Sequence, residues 1–464
     1  MRNILITSAL PYVNNVPHLG NIIGSVLSAD CYARYCRLRG YQTLYICGTD
    51  EYGTATEIKA VEEGLSCEDL CQKYHKIHVD VYKWFNISFD YFGRTSTQQH
   101  TLIAQEIFLN LYKNNFLRED SIDQFFCENC QRFLADRFVE GTCPFCLFED
   151  ARGDQCDNCA KIFNSTELKI ARCKICKQTP IIRSSKHLFL DLPSIEPRLK
   201  EFIDKAQKTG KWSANAVAIT NSWIKDGLKQ RCITRDLKWG TPVPLDEFKD
   251  KVLYVWFDAP IGYISITANY TQHWEKWWKN PSVKLTNFMG KDNVTFHTII
   301  FPATLIAAQC EYICLNDISS TEYLNYENGK FSKSRGTGVF GDNAMDTNIK
   351  SDIFRIYLLA NRPESQDTSF MWEDLISRNN NEIIKNIGNF INRCLSLLYR
   401  KFNGKIQEIS LTITEFALIT KIDSLLRLYI DSMESHRFRE AFAYLLDISH
   451  AGNQYFQYTK PWEL

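Results

Sequence analysis

Eight cysteines of the chain form four Cys-x-x-Cys pairs between residues 127 and 176. Thiolates at this spacing are typical ligands of tetrahedral Zn²⁺, and eight of them fill two structural sites completely. The pairs are Cys127/Cys130, Cys143/Cys146, Cys156/Cys159 and Cys173/Cys176. Spacing alone leaves open which pairs combine. Because Cys146 and Cys156 are close in sequence, the two inner pairs can close one site locally, which leaves the two outer pairs for the other.

A second segment with chemical potential is Pro-His-Leu-Gly-Asn at residues 17–21, which follows an apolar run predicted to be a buried strand. It stands at the start of a helical pattern, and a helix N-terminus attracts phosphate through its free N–H groups and partial positive charge. His18 can donate to a phosphate oxygen, and Gly20 permits close approach of a base or ribose. Taken alone, such a histidine is more often structural.

The third segment is Lys-Phe-Ser-Lys-Ser-Arg-Gly at residues 330–336. Its three cations beside small residues suit a loop that closes over a polyphosphate, although a solvated basic turn is the favoured interpretation when the segment is taken alone. The chain has no Gly-x-x-x-x-Gly-Lys-Ser/Thr loop, and no Gly-x-Gly-x-x-Gly follows the first strand. The sequence therefore argues against a P-loop enzyme and a dinucleotide site.

Composition limits the class of protein. The 464 residues are 45% hydrophobic and 23% charged, which is typical of a globular protein of about three domains. The chain has 54 lysines and arginines in total and 54 aspartates and glutamates, so its formal net charge is zero. A net charge of zero argues against indiscriminate binding to nucleic acid or membrane but leaves room for a local basic groove. No apolar run is long enough for a transmembrane helix or signal peptide, and 17 scattered and paired cysteines favour a reducing compartment. We expect a cytoplasmic protein.

Alternating strand and helix patterns predict a parallel sheet covered on both faces. Apolar runs predict strands at residues 43–47, at residues 251–257 and ending at Gly290, and a helix at residues 302–313. The cysteine-rich segment interrupts this pattern. Beyond about residue 372 the periodicity is helical throughout, which predicts a bundle of at least three segments.

Together, the segments at 17–21 and 330–336 resemble the His-x-Gly-His and Lys-Met-Ser-Lys-Ser signatures of class I aminoacyl-tRNA synthetases. The segments at 7–12, 47–53, 254–263, 290–294 and 296–297 resemble the methionyl-tRNA synthetase family, and the segments at 330–336 and 361–365 its eukaryotic cytosolic branch. The likeness runs from residue 3 to residue 462. Asn21 replaces the final histidine of the first signature, and this replacement argues against any role that needs a second imidazole. Phe331 replaces the methionine of the second signature.

The resemblance implies a Rossmann-like α/β catalytic domain split by a zinc-knuckle insertion and followed by a helical anticodon-binding domain. The implied boundaries are 1–115 and 211–320 for the two catalytic halves, 116–210 for the insertion, 321–372 for the signature loop and stem-contact region, and 373–464 for the helical domain. Because family members usually continue with more helix, we expect this last domain to be incomplete at its C-terminus. The resemblance also supports nested zinc sites, an outer set from the first and last cysteine pairs and an inner set from the two middle pairs.

The resemblance assigns site residues by position. The methionine pocket would be lined by Ala9, Leu10, Tyr12, Trp256, Ala259, Pro260, Tyr263 and His297. Asp50 would receive the substrate ammonium group. The residues assigned to ATP binding are His18, Gly20, Asn21, Lys330 and Lys333, all but Gly20 being also assigned to catalysis. Anticodon recognition would fall to Asn389, Arg393 and Trp462.

The implied reaction is activation of L-methionine by ATP, carried with Mg²⁺, followed by transfer to tRNA(Met). It needs no general base of unusual pKa, because the carboxylate attacks the α-phosphorus in line and the protein positions the groups and neutralises charge. A zinc-ribbon protein that only binds nucleic acid is an alternative that leaves residues 256–263 unexplained. A synthetase for leucine, isoleucine or valine would carry a larger insertion. The sequence does not indicate whether the chain joins a larger synthetase complex.

Overall fold

The computed structural model describes residues 2–134, 138–153, 156, 158–159, 163–327, 329, 337–406, 408 and 410–463 of the chain. Residues 2–115 alternate between strands and helices, as the apolar pattern predicts. The strands are β1 (Asn3–Ser8), β2 (Gln42–Thr49) and β3 (Tyr91–Arg94). The helices are α1 (Leu19–Asn21), α2 (Leu27–Leu38), α3 (Thr54–Glu63), α4 (Cys67–Trp84) and α5 (Gln98–Lys113). A π-helical turn, Ile22–Val26, joins α1 to α2.

The cysteine-rich segment is built on antiparallel strands. Its strands are β4 (Leu117–Cys127), β5 (Arg132–Phe133), β6 (Val139–Thr142), β7 (Ala151–Arg152), β8 (Lys169–Cys173) and β9 (Ile181–Leu190). A 3₁₀ turn lies at Ser165–Glu167. The helices α6 (Leu192–Thr209) and α7 (Ala214–Lys225) lead back to the main body.

The next part of the chain returns to α/β structure. Its strands are β10 (Arg231–Cys232), β11 (Thr234–Arg235), β12 (Val252–Leu253), β13 (Val283–Gly290) and β14 (Asp317–Thr321). Its helices are α8 (Val255–Asp258), α9 (Gly262–Tyr270), α10 (Glu275–Trp278) and α11 (Phe301–Ala308). It also contains 3₁₀ turns at Asp246–Phe248, Ala259–Ile261 and Lys291–Asn293 and a π-helical turn at Phe296–Ile300.

The C-terminal part is mostly helical. It contains β15 (Leu324–Tyr326), β16 (Thr368–Phe370), α12 (Gly341–Asp346), α13 (Ser351–Ala360), α14 (Trp372–Arg378), α15 (Asn389–Phe402), α16 (Ile413–Glu434) and α17 (Phe438–Thr459). A π-helical segment, Asn379–Gly388, joins α14 to α15. The predicted bundle of at least three helical segments is confirmed.

The central sheet has five parallel strands in the order β14-β13-β1-β2-β3. Alternate residues of β1 face opposite cores, since Leu5 packs with the helices on one face and Ile4 and Ile6 pack with those on the other. The sheet is therefore buried on both faces, as apolar runs in parallel strands indicate. The predicted α/β class with a helical C-terminal region is confirmed. Because the strands are parallel, the residues after β1, β2, β13 and β14 meet at one edge, where such folds bind ligands.

Two predicted elements are wrong in extent. The apolar run at 251–257 is a strand only over β12, because its partner β11 is two residues long and the ladder ends there. The chain then turns into α8, where the backbone N–H of Asp258 donates to the Tyr254 carbonyl at 3.2 Å. A short buried apolar run does not distinguish strand from helix. The helix predicted at 302–313 ends at Ala308, because Gln309 adopts a left-handed conformation with φ 53°.

Candidate active site and metal centres

A narrow apolar cavity of about 40 Å³ opens at the carboxyl edge of the sheet. It is lined by nine residues that the resemblance assigns to the amino-acid pocket and by two that it does not. The nine are Ala9, Leu10, Tyr12, Asp50, Trp256, Ala259, Pro260, Tyr263 and His297, and the additional two are Asn293 and Phe296. The structure thus brings all nine together from β1, β2, the helical stretch after β12 and the turn after β13, while their roles stay predictions.

Asp50 is the acidic residue of this cavity. It follows β2, its side chain is buried, and its Oδ1 atom has no hydrogen-bond partner among the described residues. Burial is the main cause that raises the pKa of Asp50 well above its usual value, and the neighbouring carboxylate of Asp258 raises it further. An unpaired buried carboxylate oxygen is costly, so a cationic group entering the cavity is strongly favoured at this position.

His297 and Tyr263 form a hydrogen-bonded pair on the cavity wall. The Tyr263 hydroxyl lies 2.8 Å from Nε2 of His297, and Nδ1 of His297 lies 2.8 Å from the carbonyl oxygen of Asn293. Since a carbonyl only accepts, Nδ1 carries the proton and Nε2 accepts from the tyrosine. Burial lowers the pKa of His297 to about 4, so the ring is neutral at physiological pH. This wall is uncharged and has a fixed orientation.

The outer wall of the cavity is aromatic. The ring of Trp256 packs against Tyr254 and Phe296, with both centroid distances at 4.9 Å. Trp256 is 45% exposed and Tyr12 is 39% exposed, which is unusual for residues of this size. Pro260 lies in a tight 3₁₀ turn that continues α8 into α9. The result is a polarizable aromatic surface suited to a thioether.

A larger open cleft of about 690 Å³ adjoins the cavity and shares Tyr12, Trp256, Asn293 and Phe296 with it. His18, Gly20 and Asn21, the described residues of the predicted ATP set, line this cleft. A Cβ atom on Gly20 would lie 2.9 Å from the His18 ring. Gly20 therefore keeps the floor of the cleft flat beside the imidazole.

His18 is the N-cap of the helical stretch that runs from α1 into α2. Its Nδ1 accepts from the Asn21 backbone N–H at 3.3 Å, and Oδ1 of Asn21 accepts from the His18 backbone N–H at 3.2 Å. This reciprocal capping box explains why an asparagine suits the last position of the signature. Burial lowers the pKa of His18 to about 4, so the ring is neutral with its proton on Nε2.

Lys330 and Lys333, together with the rest of the signature at 330–336, lie outside the described residues. The described chain on both sides of them reaches the cleft. Leu324 lines the cleft before the signature. After it, the Leu19 N–H donates to the Val339 carbonyl at 3.2 Å, and the Gly341 N–H donates to the Pro17 carbonyl at 2.8 Å. The signature therefore connects two segments that both contact the rim around His18.

The eight paired cysteines form two clusters in which the four Sγ atoms lie within 4.8 Å of one another. The outer cluster is Cys127, Cys130, Cys173 and Cys176, and the inner cluster is Cys143, Cys146, Cys156 and Cys159. The nested arrangement is confirmed. Sulfur distances of 3.4–3.9 Å within the clusters agree with the value of about 3.8 Å that a tetrahedral Zn–S bond of ~2.3 Å requires. Four thiolates leave no position for a reactive water, so both centres suit structural metal.

In the helical region, the structure brings two of the three predicted anticodon residues together. The guanidinium of Arg393 lies 5.5 Å from the Trp462 ring centroid and 4.5 Å from that of Phe456, and it donates to the Gln457 side chain at 3.0 Å. Asn389 is exposed at the first residue of α15, four positions before Arg393. An arginine stacked on aromatic rings is a suitable platform for an unpaired base.

Comparison with known proteins agrees with this arrangement. Residues 4–395 match the family model described as tRNA synthetases class I (M). The chain belongs to this family. It is 61% identical over 463 residues to the cytoplasmic methionine–tRNA ligase of Xenopus laevis and 58% identical to that of Homo sapiens, covering 100% of this chain and 51% of each relative. It is 59% identical to a probable cytoplasmic methionine–tRNA ligase of Dictyostelium discoideum, of which it covers 64%.

The chain thus spans between half and two thirds of the length of these class I synthetase relatives. Two solved structures of Mycobacterium tuberculosis methionyl-tRNA synthetase with methionyl-adenylate superpose with TM-scores of 0.79 and 0.81 at 22% identity. They cover 99% and 100% of this chain and 85% of each neighbour, which supports the fold. No helix in the described residues is long and apolar enough to cross a membrane.

The resemblance did not assign Asn293 and Phe296 to the pocket, although both lie within segments that carry it, 290–294 and 296–297. Asn293 acts through its backbone carbonyl, which carries no sequence signal. Phe296 opens a π-helical turn that directs its ring at Trp256. Arg362, by contrast, lies in the segment at 361–365 that resembles the eukaryotic cytosolic branch of the family, and only the structure shows that it is buried.

Proposed function

We propose that this chain carries the methionyl-tRNA synthetase activity, in which L-methionine and ATP form methionyl-adenylate and pyrophosphate, and the methionyl group is then transferred to tRNA(Met). The observation that carries the proposal is the apolar cavity in which Oδ1 of Asp50 has no partner among the described residues. This cavity opens onto the cleft that His18 lines. Such a cavity recognises an amino acid by one cationic group and one apolar side chain. The Xenopus, human and Dictyostelium relatives support the choice of methionine by name.

In this proposal the ammonium group of methionine pairs with Asp50, and its side chain enters between Trp256, Tyr263 and His297. The neutral His297 and the hydrogen-bonded Tyr263 offer the thioether no charge and no unpaired donor. The carboxylate then lies towards the cleft that the cavity shares with His18. This orientation places the nucleophile beside the nucleotide without any need for a catalytic base.

The cleft would hold ATP with its phosphates beside the helix that His18 caps. The neutral imidazole donates its Nε2 proton to a phosphate oxygen, and Gly20 leaves room for the ribose or base. Lys330 and Lys333 would neutralise charge on the departing pyrophosphate, a position consistent with the contacts of residues 324 and 339–341 at the cleft rim. Mg²⁺ bound to ATP adds charge neutralisation of the same kind.

The two cysteine clusters would hold one structural Zn²⁺ each and keep the insertion folded. The tRNA anticodon would bind the helical region around Asn389, Arg393 and Trp462, with Trp462 stacking on an unpaired base. Because the relatives are named cytoplasmic, we propose the same location for this protein.

The test is amino-acid-dependent exchange of labelled pyrophosphate into ATP. Methionine should support exchange. Ethionine and norleucine should support it appreciably, because an apolar pocket separates substrates differing by one methylene by only ~1–3 kcal/mol. Leucine, branched at the γ carbon, should support it poorly. Equal kcat/KM for leucine and methionine would contradict the assignment, and zinc-dependent RNA binding without any exchange would favour the non-catalytic alternative.

A further inference from the structure

We propose that Arg362 and Glu364 form a clamp that positions the helical region against the helix of the active site and makes tRNA charging depend on the anticodon. The inference rests on the proposed function, because it concerns the transfer of methionine to tRNA. Arg362 and Glu364 lie outside the cavity and the cleft. They would act as positioning residues through other groups.

Arg362 is a buried cation that joins two parts of the catalytic body. The residue is 1% exposed. Its Nε donates to the Ser28 hydroxyl at 2.8 Å, and its Nη2 donates to the Ser319 hydroxyl at 2.8 Å. Ser28 belongs to α2, and Ser319 belongs to β14, whose end leads into the cleft. Burying a guanidinium costs free energy of desolvation, and loss of its hydrogen bonds would leave an uncompensated buried charge. These hydrogen bonds therefore fix the relative position of the two elements.

Glu364 extends this connection to the helical region. Its Oε1 accepts from the backbone N–H groups of Phe438 at 2.8 Å and Arg439 at 3.3 Å, the first two residues of α17. The same oxygen lies 3.5 Å from Nη1 of Arg362. In the described part of the chain, the N-cap residue Arg437 supplies no capping side chain. A carboxylate from another domain therefore caps α17, where the helix dipole favours a negative charge.

The turn that precedes α17 also rests on the catalytic body. Glu434 accepts from the hydroxyls of Tyr35 at 3.0 Å and Tyr41 at 2.8 Å. The ring of His436 packs edge-on against Tyr32 at a centroid distance of 4.6 Å. The guanidinium of Arg362 lies 4.9 Å from the Phe438 ring centroid. These contacts make the start of α17 the fixed point of the helical region.

Two rigid elements lead away from this fixed point. On one side, α17 is 22 residues long, and Gln457, which bonds Arg393 beside Trp462, lies about 28 Å along it from Phe438 at helical rise. On the other side, Ser28 is connected to His18 by an uninterrupted helical stretch of about 15 Å. The clamp therefore lies where the helix of the predicted anticodon site meets the helix of the predicted ATP site. A rotation of α17 on anticodon binding would reach α2 through Glu364 and Arg362, in addition to the contacts that Glu434 and His436 make with α2.

The test compares Glu364→Gln with the intact 464-residue chain in three assays: pyrophosphate exchange, charging of tRNA(Met), and charging of the same tRNA with an altered anticodon. In the unaltered protein, the correct anticodon should raise the charging kcat. In E364Q this advantage should fall about tenfold, a factor within the usual range of coupling between two sites. The fall should come only from a lower kcat with the cognate tRNA. Exchange and the KM for tRNA should stay within about twofold of the unaltered protein.

The matched control is Glu440→Gln, which removes a carboxylate from the first turn of the same helix that pairs with Arg437 and not with Arg362. It should retain the full anticodon advantage. Glu364→Asp, which keeps the charge, should restore part of it and serves as the second variant if E364Q fails to fold. An unchanged anticodon advantage in both Glu364 variants would overturn the proposal, and so would equal loss of exchange and charging. If the unaltered chain supports no methionine-dependent exchange, the proposed function fails instead.

Discussion

Replacing Asp50 with asparagine should make the protein more stable and a poorer enzyme at the same time. The Oδ1 atom of Asp50 is buried with no hydrogen-bond partner in the part of the chain that the structure describes, and the nearby Asp258 carboxylate disfavours its charged form. Asparagine has nearly the same shape and carries no charge, so the unliganded protein should gain ~1–3 kcal/mol in free energy of unfolding near neutral pH. The lost charge-assisted bond to the substrate ammonium is worth ~1.5–3 kcal/mol. The KM for methionine should therefore rise by roughly 10–150-fold.

The pH dependence of the free energy of unfolding tests the direction of this stability change independently. The pKa of Asp50 is raised in the folded state, so the folded protein holds this proton at pH values where the unfolded chain has lost it. This contribution to stability is complete below the unfolded pKa of ~3.9 and is lost as pH rises towards the folded pKa. The stability advantage of D50N should therefore grow as pH rises over that interval. The KM of the unaltered protein for methionine should fall over the same range, whereas the KM of D50N should not follow it.

The assays are pyrophosphate exchange at several methionine concentrations and pH values, and denaturant unfolding with and without methionine. Asp120→Asn is the control, because Asp120 is exposed on the insertion and its loss should change neither quantity. A D50N protein that is less stable than the unaltered chain, yet keeps a normal methionine KM, would refute the reasoning. It would show that Asp50 is satisfied by the fold and does not await a substrate cation.

Three other expectations follow from the site. Metal analysis should find two Zn²⁺ per chain, and Cys143→Ser should remove one and leave the outer site loaded; loss of both would contradict independent centres. Lys333→Ala should lower kcat for adenylate formation by ~100-fold, since a charge aimed at the transition state is lost, with little change in methionine KM; a normal kcat with a raised KM would contradict this. Trp462→Ala should impair tRNA charging and leave exchange intact, whereas equal loss in both would assign Trp462 to the fold. Exchange activity on the same preparation serves as the control for folding.

The sequence predicted the parallel sheet, the helical C-terminal region and both cysteine clusters, for physical reasons that are local. Apolar runs and helical periods report burial, and cysteine spacing reports the reach of a short chain around a metal. The strand predicted at 251–257 is wrong beyond β12, because a short apolar run is compatible with either a strand or a helical turn. What ends the strand is the length of its partner β11, which no residue in that segment encodes.

The candidate cavity was predictable as a set of residues only through the resemblance, and its electrostatics were not predictable at all. Nothing in the order of residues indicates that Asp50 lacks a partner for Oδ1, or that Asp258 adds to the rise in its pKa. These properties depend on which strands are neighbours. Likewise, the fixed tautomer of His297 depends on the Asn293 carbonyl in the turn before it.

The rim of the cleft is formed by segments that lie far apart in the sequence. Phe340 forms an antiparallel bridge with His18, and their rings meet edge-on at 6.1 Å, although more than 300 residues separate them. Phe340 is also the N-cap of α12, as His18 is of the α1–α2 stretch. The first N–H group of each short helix bonds the other segment, since the Leu19 N–H donates to the Val339 carbonyl and the Gly341 N–H donates to the Pro17 carbonyl. The weak signal of a single histidine at a helix start becomes specific only in the folded chain, because a segment more than 300 residues away holds this histidine at the cleft.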